Sequence, residues 1–145
     1  MFTLLPGVGV ELPHGAGTLR FGMSEHDAQW AVSTLADVRE SWVCGAAWAF
    51  GAAYGDLVLG VLGGPRRGAG LAEVSFERPG GMADVAGRVP VVWADVDLFG
   101  YPLAEVEAAL PRSRPAYAPA PGRTAGPYLT HVRLTAPQDR SATDH

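Results

Sequence analysis

Cys44-Gly45-Ala46-Ala47-Trp48-Ala49-Phe50-Gly51-Ala52-Ala53-Tyr54-Gly55 is the stretch on which the fold turns. Its even positions carry Cys44, Ala46, Trp48, Phe50, Ala52 and Tyr54, while its odd positions hold only glycine and alanine. Successive side chains of a strand point to opposite faces, so this alternation predicts a strand with one aromatic face and one nearly bare face. An alanine-rich helix is the competing reading, but Gly45 and Gly51 would each cost it about 1 kcal/mol relative to alanine. A bare face lets another element approach the sheet closely, either the first helix of this chain or a partner.

Working outward, Leu57 to Leu62 is apolar at both parities, as expected of a central strand. Ala72, Val74 and Phe76 then alternate with Glu73, Ser75 and Glu77, the pattern of a half-buried strand. The three segments together predict an antiparallel meander. Shorter extended pieces are expected around Val8–Leu12, Thr18–Phe21, Val91–Trp93 and Tyr128–Leu134. Residues 111–127 hold five prolines and no apolar period, so a loop is expected there, and 136–145 reads as a flexible polar tail.

A second pattern occurs twice. Arg20-Phe21-Gly22-Met23-Ser24 leads into an apolar stretch, and Leu98-Phe99-Gly100-Tyr101-Pro102 does so again 78 residues further on. In the first copy Ser24 is a good N-cap, with Asp27 three residues later, and Ala28, Ala31, Val32 and Leu35 fall on one helical face. In the second, Leu103, Val106 and Leu110 share a face, Pro102 suits its first turn and Pro111 ends it. Each copy predicts a strand, a glycine turn and a short helix.

At 145 residues the chain is one domain by length, expected over 1–135. A chain of this size buries roughly 70% of its unfolded surface and needs neither disulfide nor metal. With 48% apolar and 18% charged residues it is globular rather than disordered. The net charge of −4 and scattered arginines, with only Arg66-Arg67 adjacent, exclude a nucleic-acid binder. A lone cysteine, Cys44, fits a reducing, cytoplasmic compartment. The absence of lysine, isoleucine and asparagine reflects a GC-rich, bacterial genome rather than function. No secretory leader is expected, because Met1–Leu5 has no cationic start and Pro6 stops the apolar run. Trp42–Gly64 is long and apolar, but six glycines and Asp56 in a Tyr-Gly-Asp turn argue against a membrane span.

Chemistry-bearing residues are sparse. His14, His26, His131 and His145 show no metal-ligand spacing, and no CxxC or HExxH occurs, so neither metal nor cofactor is expected. Cys44 reads as a buried inert thiol, since no cation neighbours it in sequence; only a nearby His131 would make it a nucleophile. Gly60–Gly70 lacks the Lys-Ser/Thr of a phosphate loop. Asp95 and Asp97 share one side of an extended segment and, with the loop residue His14, form the one candidate site for a small enzyme or ligand-binding module. Aromatic residues near expected element ends are a better lead. Trp30, Trp42, Trp93 and Tyr101, with Arg66 and Arg67, are the candidate binding residues, because aromatics and arginine are enriched in protein interfaces. Phe99 lies among them in sequence.

Phe21-Gly22-Met23-Ser24 and Val96-Asp97-Leu98-Phe99-Gly100-Tyr101-Pro102-Leu103-Ala104-Glu105-Val106 resemble segments of small actinobacterial proteins and of immunity-type proteins from bacterial polymorphic toxin systems. That resemblance implies a compact α+β domain that acts by binding a toxin, with no catalytic residue of its own. It covers about a fifth of the chain, and the proline-rich 111–127 departs from it.

The expectation is therefore an α+β fold: an antiparallel sheet of about six strands with two short helices packed on one face. The expected function is non-catalytic binding of another protein. A small enzyme using His14, Asp95 and Asp97, or a homo-oligomer joined through the Gly/Ala face of 45–55, are the alternatives.

Overall fold

The computed structural model describes residues 1–79, 84–112, 118–121 and 126–137. In chain order its elements are β1 (Phe2–Leu5), β2 (Gly9–Glu11), a 3₁₀ turn (Pro13–Gly15), β3 (Thr18–Arg20), α1 (Glu25–Ser33), β4 (Arg39–Ser41), β5 (Ala49–Tyr54), β6 (Leu57–Gly63), β7 (Leu71–Glu77), β8 (Val91–Trp93), β9 (Val96–Asp97), α2 (Leu103–Ala109), β10 (Ala120–Pro121) and β11 (His131–Thr135). Most of the expected tail 136–145, with His145, and parts of the proline-rich 111–127 lie outside the described residues.

The fold is α+β. The expected six-stranded antiparallel sheet is present in the order β10-β11-β7-β6-β5-β4, with the meander β5–β6–β7 at its heart. The single-sheet expectation is incomplete, however. A second, five-stranded sheet runs β3-β2-β1-β8-β9, antiparallel except where β1 and β8 lie parallel. The two sheets share one core. Phe2 of β1 sets its ring edge-on to Phe76 of β7 at 5.3 Å and to Tyr54 of β5 at 5.4 Å. Val10, Leu19 and Val91 from the smaller sheet and Leu59, Val61 and Val74 from the larger belong to the same buried cluster. The turn after β3 ties the sheets together: the Gly22 N–H donates to the Leu71 carbonyl, and the Leu71 N–H to that of Met23.

The meander is one-sided. Leu57, Leu59 and Val61 of β6 are buried while Val58 is exposed, so this strand does not bury both faces as its composition suggested. β5 is also shorter than expected. Its alternation holds from Ala49 to Tyr54, but 44–48 forms a turn in which Gly45 takes a left-handed φ of 86°. Trp48 then stacks on Phe50 at 5.9 Å and donates from its indole N–H to the Ala69 carbonyl. A Cβ at Gly63 would run into that indole, so the close approach requires glycine there.

Both repeated units form. α1 begins where expected, with the Ser24 hydroxyl accepting from the Asp27 N–H at 3.1 Å. Ala28 and Val32 are buried and Trp30 points away from that stripe. In α2, Pro102 takes the N-cap, Val106 is buried, and the Leu103 N–H reaches the Pro127 carbonyl. Both helices lie on the core-facing side of the larger sheet, Ala28, Val32 and Val106 joining the same buried cluster as Phe50, Ala52 and Val132. Each packs against the strand that leads into it, and those strands, β3 and β9, are the two opposite edges of the smaller sheet. β3 and β9 run antiparallel to each other, so the two strand–turn–helix units are arranged like a two-fold pair about β1.

Candidate functional site

The β5–β6 hairpin has a two-residue loop, Gly55-Asp56, closed by Tyr54 opposite Leu57. Gly55 at φ 59° in first position is the pattern of a type II′ turn. Two-residue loops are closed by a mutually hydrogen-bonded pair, and such pairs alternate along an antiparallel ladder. Tyr54, Ala52 and Phe50 therefore direct their backbone N–H and C=O groups at β6, and the Gly63 N–H donated to the Trp48 carbonyl continues the series. Gly51 and Ala49 direct theirs the other way, to Arg39 and Ser41 of β4.

β4 stops at Arg39 opposite Gly51, so Ala53 turns its backbone groups to an edge where no described strand pairs with them. Along that edge runs an open groove of about 800 Å³, with Leu35, Asp37 and Arg39 on one wall and Gly51, Ala53 and Val58 on the other. This is the small-residue face foreseen from the sequence. α1 does not cover it, because Ala28 and Val32 join the core cluster with Phe50 and Ala52 instead. Beside the groove, every residue from Arg39 to Gly45 is exposed, and Trp42 in the middle is 84% exposed.

Of the other expected binding residues, Trp30 is 71% and Tyr101 54% exposed, and Arg66 and Arg67 stand exposed in the loop between β6 and β7. Trp93 is a correction: it ends β8 opposite Val96, is buried at 7%, and belongs to the core with Leu98 and Phe99. Cys44 is a second correction, being exposed rather than buried because the strand begins only at Ala49. His131, opposite Glu77, stands at the far end of the larger sheet from the Cys44 turn.

His14, Asp95 and Asp97 do not come together. β2 leaves the smaller sheet at Glu11, opposite Thr3 near the start of β1, and His14 follows it there at φ 57° with its ring 6.5 Å from Tyr54. β8 runs parallel to β1, so Asp95, which follows β8, lies at the opposite end of that sheet. Ala94 and Asp95, at φ 52° and 65°, form the two-residue turn between β8 and β9. The Asp97 carboxylate accepts from the N–H groups of Phe99 and Gly100, both at 3.2 Å, and holds the turn into α2. A cleft of about 270 Å³ lies beside Asp95, Asp97, Tyr101 and Glu105. Among the described residues no group of three or more His, Cys, Asp or Glu could hold a metal ion, and no helix is long and apolar enough to cross a membrane.

One pair of residues escaped the sequence reading. Arg78, directly after β7, has a wholly buried side chain. Its Nη1 donates to the Leu129 carbonyl at 3.4 Å, and its Nε lies 3.7 Å from the Asp56 carboxylate. Among the described residues Nε and Nη2 have no hydrogen-bond partner. Asp56 in turn accepts from the backbone N–H groups of Arg88 and Val89. The pair thus joins the β5–β6 turn, the end of β7, the segment before β8 and the segment before β11. The signal was present but faint: Asp56 is the one charge between Trp42 and Gly64. No known protein family, no curated protein and no solved structure matches this chain.

Proposed function

We propose that this chain is a non-catalytic protein-binding domain whose contact surface is the groove along Ala53 together with the exposed stretch Arg39–Gly45. The single observation that carries the reading is Trp42, 84% exposed and directly after Ser41, the last residue of β4 and part of the lining of the groove that Gly51 and Ala53 floor. An aromatic side chain gains most when a partner covers it, and a sheet edge offers backbone groups to an extended partner segment. The candidate residues Trp30, Tyr101, Arg66 and Arg67 are also on the surface and available to a partner. The partner is a different protein. A two-fold pairing of β4 centred on Arg39 or Glu40 would set each charge against its own copy, which is unfavourable. The separation of His14 from Asp95 favours binding over catalysis. The resemblance of the two Phe-Gly segments to immunity-type proteins agrees, since such proteins act by covering a target. A cytoplasmic location belongs to the same proposal, an exposed free thiol at Cys44 suiting a reducing compartment.

The test is affinity capture from the source organism with the wild-type chain, followed by calorimetry on the purified partner. Trp42→Ala should weaken binding by about 2 kcal/mol, roughly 30-fold, while circular dichroism stays unchanged. A partner bound equally well by Trp42→Ala would move the site elsewhere. Sedimentation showing a stable dimer dissolved by Trp42→Ala would assign the surface to self-association instead.

A further inference from the structure

We draw no further inference here: the strongest candidate, the cleft that Asp95, Asp97, Tyr101 and Glu105 form between the β8–β9 turn and α2, is an acidic cluster in which Asp97 already serves a backbone turn, and no second observation points to a ligand.

Discussion

At the scale of single residues, the Asp56–Arg78 pair carries a large energetic consequence. A buried guanidinium is expensive to desolvate, and removing the Asp56 carboxylate that faces it takes away its compensating charge among the described residues. Asp56→Ala should therefore destabilise the chain by about 3 kcal/mol in urea denaturation. Arg78→Met, which removes the buried charge while keeping much of its volume, should cost clearly less, and the double variant should cost less than the two single losses added together. Equal and additive losses would mean that the pair is not coupled. The turn residues Ala94 and Asp95 point the other way. Two consecutive left-handed residues without glycine are strained, by about 1–2 kcal/mol each for an L side chain. Asp95→Gly should relieve part of this, raising Tm by about 2–4 °C for about 1 kcal/mol. A fall in Tm would show instead that the Asp95 carboxylate makes a contact that holds the turn.

At the scale of elements, the parity of β5 makes two neighbouring alanines behave differently. Ala52 gives its N–H to β6, whereas Ala53 turns its own to the open edge. Proline is tolerated in a strand only where the N–H faces solvent. Ala52→Pro should thus abolish folding or cost about 3 kcal/mol or more, and Ala53→Pro should cost at least about 2 kcal/mol less. Hydrogen exchange offers the same contrast without mutation, with the Ala53 amide exchanging much faster than those of Ala52 and Tyr54. Equal protection at all three positions would overturn the assigned register. The meander containing this strand was legible in the sequence because hairpins pair neighbours and period two survives over six or seven residues. α1 was legible through its Ser24 cap and the Ala28–Val32 spacing. The groove was only half legible: alternation foretold a bare face, but not that α1 would leave it open. Trp93 was misread because position at a strand end says nothing about which side of the turn faces the core. The smaller sheet was missed as a unit, since its strands are two to four residues long. Such short runs carry little periodicity.

At the scale of the whole molecule, the organising contact is the pairing of β1 with β8. It joins Phe2 to Val91 and Thr3 to Val92 across most of the chain, and it places the β2–β3 and β8–β9 hairpins on either side of one central strand. Closing so long a loop costs entropy before any packing compensates it, so folding should be slow for a chain of this size. Phe2 is where that closure meets the larger sheet, because its ring packs against both Phe76 and Tyr54 and is almost wholly buried. Phe2→Ala should cost about 3–5 kcal/mol, enough to unfold a domain of ordinary stability. The milder Phe2→Leu keeps the fold measurable and tests cooperativity. Trp93 reports on the smaller sheet and Trp48 on the larger, so, with Trp30 and Trp42 replaced by Phe, a Trp93→Phe and a Trp48→Phe chain each keep one tryptophan and let fluorescence follow each sheet in turn. If the sheets share one core, Phe2→Leu lowers both midpoints by the same amount, and both coincide with the loss of far-ultraviolet circular dichroism. Two separated transitions would mean that the larger sheet stands without the smaller. The proposed binding edge at Ala53 would then be supported by the meander alone, and the two strand–turn–helix units would be free to differ in function from it.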